Sequence, residues 1–259
     1  MAARGCPVIL ERLSFGYGRG RLLEDISLSV RRGEVLALVG PNGSGKSTLL
    51  RLMAGLLQPV AGRVLICGEN AARLSRRAYA RRVALLSQQG GAPGAIRVRD
   101  LVAMGRFPHQ GWLRRASAAD RAAVAQAMED AEVAALAGRP VNTLSGGQAQ
   151  RARMAMTLAQ GGDVLLLDEP TTYLDLRHQF GLLGRARRAA AEGRAVVAVL
   201  HDFSLASLYA DRLAVLHEGR LDGIGPAAQV LDAAALARVF GVSARLLRDG
   251  PAIFPVPRD

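Results

Sequence analysis

Val35-Leu36-Ala37-Leu38-Val39-Gly40-Pro41-Asn42-Gly43-Ser44-Gly45-Lys46-Ser47-Thr48 is a continuous apolar run that breaks into a glycine-rich turn and then into helix-forming residues. An apolar run of this length bounded by turn residues predicts a strand buried on both faces. The turn has the pattern G-x-x-x-x-G-K-[ST] of a phosphate-binding loop, in the strand–turn–helix setting such a loop requires. Its glycines let the backbone approach closely, so that successive N–H groups and the helix N-terminus bind phosphate oxygens. Lys46 is the single lysine among 34 basic residues, all the rest being arginine. A compact ammonium threads between phosphates where a planar guanidinium is too broad. The Ser47 hydroxyl is placed to ligate Mg²⁺ beside them.

At 259 residues, the chain is long enough to bury a sizeable core in one domain with a subdomain. Its 50% hydrophobic and 22% charged content is that of a globular protein rather than a disordered one. The longest apolar runs fall far short of the roughly 20 residues that span a bilayer. Met1 to Cys6 contains no apolar signal core, so the expectation is a protein that stays where it is made. Cys6 and Cys67 have no disulfide or metal spacing, which suits a reducing cytoplasm. A net charge of +12 raises the possibility of nucleic acid. The charges are spread along the chain, however, and 4% aromatics are too few for a base-stacking surface, so no nucleic-acid partner is expected. An Arg-rich face near anionic lipid is the alternative use of that charge.

Alternation of short apolar strands with helical segments predicts an α/β fold with a mostly parallel sheet. Val83 to Leu86, Val164 to Leu167 and Val196 to Leu200 join Val35 to Val39 as central strands, and a helix is expected from Lys46 to about Leu57. Val8 to Gly16, Ile26 to Val30 and Arg63 to Ile66 suggest an antiparallel β subdomain around the loop. From about Gly91 to Gln160 strand patterning disappears. The Ala-rich stretch Ala118 to Ala137 and the segment Gly146 to Gln160 point to an inserted α-helical subdomain. The Pro-rich end, Pro251 to Asp259, is expected to be peripheral.

Two further motifs carry chemistry. Val164-Leu165-Leu166-Leu167-Asp168-Glu169 is an apolar strand ending in adjacent carboxylates. A strand end beside the phosphate loop lets Asp168 hold Mg²⁺ or its water shell. Glu169 then faces the γ-phosphate, as base or orienter of the attacking water. Leu144-Ser145-Gly146-Gly147-Gln148 is a polar glycine-rich turn before a helix, a second anion site. An ordinary helix cap reads Ser-x-x-Glu and needs no glycine pair, so a plain cap is not expected here.

Leu144-Ser145-Gly146-Gly147-Gln148 is similar to the signature of ABC ATPases, and the other motifs follow in that family's order over essentially the whole chain. The resemblance implies one ABC ATPase domain over 1–259. Within it, 1–90 and 161–235 form the nucleotide-binding α/β core with its β subdomain, 91–160 the helical signature subdomain, and 236–259 a C-terminal extension. It implies ATP and Mg²⁺ as cofactors. ATP contacts would come from Gly40, Pro41, Asn42, Gly43, Ser44, Gly45, Lys46, Ser47 and Thr48, with Tyr17 stacking on adenine. Gln88, with Gln89 as a neighbouring candidate, would touch Mg²⁺ and the attacking water, and His201 the γ-phosphate. Ser145, Gly146, Gly147 and Gln148 would reach the nucleotide bound to another copy of the chain, and Asp175 would cross the same interface. A head-to-tail homodimer enclosing two ATP follows.

Within the family, Val98 to Gln110 with its Gly105-Arg106-Phe107-Pro108-His109 run, Pro170 to Asp175, and Val239-Phe240-Gly241-Val242 resemble importer ATPases for iron–siderophore, haem and cobalamin, the ferric-siderophore branch most. This implies membrane permease subunits as partners through a coupling helix, indirectly a substrate-binding protein, and a peripheral position on the cytoplasmic face of the inner membrane. Cobalamin and haem import remain alternatives, as does a soluble ABC ATPase without a transporter. Ala149 in place of Arg, Arg153 in place of a bulky aromatic, and Phe203-Ser204 in place of Leu-Asn depart from the family's pattern.

Overall fold

The computed structural model describes residues 6–18, 20–87, 96–111, 116–172 and 174–258. The chain starts with β1 (Val8–Tyr17), β2 (Gly20–Val30), β3 (Val35–Val39), α1 (Lys46–Met53), β4 (Ala61–Ile66), β5 (Glu69–Asn70), α2 (Arg76–Ala80) and β6 (Val83–Leu86). Three helices follow, α3 (Val98–Met104), α4 (Ala118–Asp130) and α5 (Gly146–Gln160). Then come β7 (Val164–Asp168), α6 (Leu176–Ala191), β8 (Ala195–Val199), α7 (Phe203–Tyr209), β9 (Arg212–His217) and β10 (Arg220–Gly225). The last elements are α8 (Ala227–Val230), α9 (Ala233–Phe240), β11 (Ala244–Asp249) and β12 (Ala252–Pro257).

One sheet has the order β10-β9-β3-β8-β7-β6. Its five strands from β9 to β6 are parallel, and β10 closes the edge antiparallel to β9. A second, antiparallel sheet runs β2-β1-β4-β5. The continuous apolar runs are continuous because both faces of the parallel sheet are covered. Leu36 and Leu38 of β3 pack with α1 and the antiparallel sheet, beside Leu10, Ile26, Leu49 and Leu50. Val35, Ala37 and Val39 pack the other way, with Leu182, Leu183, Ala186 and Leu205 of α6 and α7. Each leucine so buried contributes about 2 kcal/mol. The family's α/β architecture with an antiparallel sheet is thus present.

A third apolar cluster joins α3, α4 and α5 through Val98, Val102, Ala127, Met128, Ala152 and Ala155. Polar bonds tie this layer together and attach it to α2 and β6. Gln160 Nε2 donates to the carbonyls of Ala80 at 2.8 Å and Val83 at 2.9 Å. Arg77 and Arg81 both donate through Nε to the Pro108 carbonyl, at 2.9 and 2.8 Å. Arg106 bridges Asp120 at 3.0 Å and the Ala159 carbonyl at 2.8 Å. Hydrogen bonds from Ser117, with Arg106 added, hold the Asp120 carboxyl down to about 2.

Two expectations need correction. Helix α1 stops at Met53 instead of running to about Leu57. Gly55 has a φ of +69°, Leu56 N donates to Arg51 O and Gly55 N to Leu52 O, which together make a Schellman stop. The Pro-rich end is built in rather than peripheral. β11 and β12 form an antiparallel hairpin, Ile253 is only 2% exposed, and its N–H donates to Ser207 Oγ at 2.9 Å. Phe203, one of the departures from the family pattern, stacks edge-on against Phe240 of α9 at 4.8 Å.

The end of α1 also depends on Tyr79, which is buried and donates its hydroxyl to the Met53 carbonyl at 2.6 Å. Replacing Tyr79 by Phe leaves that carbonyl unpaired and is expected to cost about 1–2 kcal/mol, lowering Tm by about 3 °C per kcal/mol. Thermal unfolding of the variant measures it, and an unchanged Tm would refute the assignment.

Candidate functional site

The loop after β3 turns sharply at Gly45, whose φ is +99° and where a Cβ would lie 2.6 Å from Leu23 Cδ2. Leu23 lies on β2, so the antiparallel sheet supports the loop from behind. Gly45 caps α1 with no side-chain bond, which leaves the first amides of the helix facing the loop. Lys46 is buried, and its Nζ donates to the carbonyls of Gly40 at 2.9 Å and Pro41 at 2.7 Å. Burial lowers its pKa, opposed by the charges of Glu169 and Asp168. Ser44 Oγ is buried with no hydrogen-bond partner among the described residues. A buried cation, an unpartnered hydroxyl and a helix N-terminus fit a phosphate group.

Ser47 Oγ donates to Asp168 Oδ1 at 2.8 Å, joining the start of α1 to the end of β7. Asp168 is buried, and burial raises its pKa, with Ser47 pulling it down and Glu169 pushing it up. A hydroxyl and a carboxylate side by side are the hard oxygen donors that Mg²⁺ accepts, its remaining positions going to water and phosphate. The next residue, Glu169, has a φ of +48°, a conformation strained for a non-glycine residue. Its Oε1 lies 2.8 Å from Nε2 of His201, which follows β8. Three strand ends therefore gather Lys46, Ser47, Asp168, Glu169 and His201.

The other candidates lie apart from that group. Tyr17, at the end of β1, is 55% exposed and contacts Phe15 edge-on at 4.9 Å. Ser145 caps α5 and is exposed; its Oγ accepts from Gln148 N at 3.3 Å, and its N–H donates to Gln148 Oε1 at 3.2 Å. This is a reciprocal capping box, so the expectation that the turn is not a plain cap is corrected: Gln at the third helical position does what Glu would. Among the described residues no hydrogen bond joins Ser145, Gly146, Gly147 or Gln148 to the loop 40–48. Asp175 caps α6, accepting from His178 N at 2.9 Å and meeting His178 Nδ1 at 2.6 Å. These bonds from His178 hold its carboxyl below the usual range. Gln88 and Gln89 lie outside the described residues.

A family model described as ABC transporter matches residues 23–172, a span that holds the phosphate loop, the Ser145 turn, Asp168 and Glu169. The chain belongs to the ABC transporter family. It binds ATP and is an ATPase. The chain is 43% identical over 238 residues to the achromobactin transport ATP-binding protein of Dickeya dadantii, spanning 92% of this chain and 88% of the relative. To the ferric enterobactin transport ATP-binding protein of Escherichia coli it is 40% identical, over 95% of this chain and 91% of the relative. Among solved structures it is similar to an inward-facing ABC transporter assigned to the metal-chelate type, with a TM-score of 0.83, 26% identity and 98% of each chain covered.

Against this family background, two further parts of the molecule stand out. A cavity of about 800 Å³ opens between α1, α2 and β4, with Leu52, Leu57, Leu74 and Tyr79 in its walls and Arg63 and Arg76 among its lining residues. Leu56 beside it is 64% exposed and nearby Val60 74%. Among the described residues no helix is long and apolar enough to cross a membrane. Sequence reasoning also missed Gln150, buried on α5, whose Nε2 donates to the Pro170 carbonyl at 3.4 Å. Its partner is a backbone carbonyl, so no pairing of side chains in the sequence signals it.

Because Ser145 and Gln148 cap α5 reciprocally, Ser145→Ala is expected to cost about 1 kcal/mol of stability whatever else the turn binds. Urea unfolding in the absence of nucleotide measures this, and a stability equal to wild type would refute the cap.

Proposed function

We propose that this ATPase is the energy-supplying subunit of an importer that moves a ferric siderophore across the cytoplasmic membrane. The convergence of Lys46, Ser47, Asp168, Glu169 and His201 at three strand ends carries the hydrolytic half of that reading. Transport of ferric enterobactin, named for a relative that matches nearly end to end, supports the cargo.

In this mechanism Lys46 leaves the carbonyls of Gly40 and Pro41 to bind the β- and γ-phosphates, while the amides of the 40–48 loop hold their oxygens and Tyr17 stacks on the adenine. Ser47 and Asp168, with Gln88, would hold Mg²⁺, which would supply positive charge to offset that of the phosphates. Glu169 accepts a proton from the attacking water or orients it, and His201, held by Glu169, contacts the γ-phosphate. The Ser145, Gly146, Gly147 and Gln148 turn, which among the described residues makes no hydrogen bond to the loop 40–48, serves the ATP of a second copy, with Asp175 crossing the interface. Two copies head to tail enclose two ATP, and closure on ATP with opening after hydrolysis drives transport.

The residues divide accordingly into a nucleotide-binding core, a helical layer around α3 to α5 that carries the Ser145 turn, and a C-terminal extension. The cavity between α1, α2 and β4 receives an apolar segment of the membrane permease, which keeps the chain peripheral on the cytoplasmic face, and a substrate-binding protein acts through that permease.

Glu169→Gln is expected to slow hydrolysis by about 100-fold or more while ATP still binds, so that an ATP-bound dimer accumulates in size-exclusion chromatography. A monomer with ordinary turnover would overturn the assignment. Affinity purification from solubilised membranes should recover a polytopic permease. A strain lacking the chain should lose growth on ferric siderophores as the iron source and keep growth on haem; the reverse pattern would exclude the siderophore.

A further inference from the structure

Between the Glu169 end of the site and α6, Pro170, Thr171 and Leu174 are held between two helices. On the α6 side, Gln179 Nε2 donates to the Leu174 carbonyl at 2.9 Å and to the Thr171 carbonyl at 3.4 Å. On the other side lies the start of α5. A Cβ on Gly147 would stand 3.5 Å from Leu174 Cδ2, an ordinary packing distance, so the Ser145 turn rests on Leu174, which is buried. One turn further along α5, Gln150 reaches the Pro170 carbonyl. Thr172 Oγ1 donates back to Glu169 Oε2 at 3.4 Å.

Glu169 and the Ser145 turn are therefore joined within one chain by a short path through the buried residues Pro170, Gln150 and Leu174. Gln150 supplies the side-chain hydrogen bond described between α5 and the peptide next to Glu169. A buried amide donor facing a buried carbonyl has no water to replace its partner, so α5 and Pro170 shift together or lose the bond. From this geometry we infer that Gln150 is a positioning residue that couples the two ATP sites of the dimer. Any displacement of Glu169 and Pro170 as one site closes or hydrolyses moves the chain's own Ser145 turn, and that turn faces the other site. Each chain thereby reports the state of its nucleotide to its partner's, and two sites linked in this way bind and hydrolyse ATP cooperatively.

This inference rests on the two-chain site proposed above, and its test separates the two. Gln150→Met and Gln150→Glu both keep the length of the side chain and remove the donor, so one of them serves if the other lowers Tm. Size-exclusion chromatography with ATP in a Glu169→Gln background checks the dimer first. Failure of that background to dimerise sinks the two-chain site and this inference with it. ATP hydrolysis by the full chain, measured against ATP concentration, then reads the coupling. The wild type should show a Hill coefficient between 1 and 2, and the Gln150 variants a value of about 1, with dimerisation and Tm retained and kcat lowered more than KM is changed. A dimer whose Hill coefficient is 1 in the wild type, or is the same in wild type and both variants, overturns the coupling role of Gln150.

Discussion

The hydrogen bond from Ser47 Oγ to Asp168 Oδ1 spans 121 positions of sequence and sets the terms for the rest of the molecule. It forms only if β7 lies two strands from β3, about 10 Å away, with both pointing the same way. β8 then lies between them, and its end delivers His201 into the interval. The parallel order thus converts three separate apolar runs into one row of charged side chains at the carboxyl ends of the strands, where open α/β sheets bind ligands. The antiparallel sheet and α1 exist, in this sense, to hold the loop between β3 and α1 against that row.

The same arrangement is electrostatically expensive for the free chain. Burial disfavours the charge on Lys46 and the charge on Asp168 alike, although each is of the sign its ligands require. Lys46 meets this by donating to two backbone carbonyls, and Asp168 by accepting from Ser47. Both partners are exchangeable, because phosphate oxygens can replace the carbonyls and a metal can take the place of the hydroxyl proton. Interactions that are adequate alone and better with nucleotide are what a site needs if binding is to change its surroundings.

Most of the strand framework was legible because a strand covered on both faces must be apolar throughout, and Val35 to Val39, Val83 to Leu86 and Val164 to Leu167 have no other reading in an α/β chain. Helix α5 was legible as Gly146 to Gln160, although the capping role of Ser145 was not. Less so were features decided by a single local conformation or a distant partner. Gly55 ends α1 only because it takes a positive φ, which Gly in a sequence does not announce. Pro255 and Pro257 read as a loose end, yet in a two-stranded hairpin their missing N–H groups can face away from the ladder. The grouping of Lys46, Ser47, Asp168, Glu169 and His201 could be foreseen since each follows a strand. Gln150 could not, because its partner is a backbone carbonyl and leaves no side-chain signature.

Lys46 is the single lysine of the chain, buried and held to the loop carbonyls. No other side-chain amine exists on the whole surface, so lysine-directed acylating agents and cross-linkers find almost nothing to react with until they reach the nucleotide cleft. Its lowered pKa leaves more of the neutral, nucleophilic amine than an exposed lysine would have. The protein thus carries a built-in label position: covalent modification of a side-chain amine reports the accessibility of the phosphate site, and occupancy by ATP shields it.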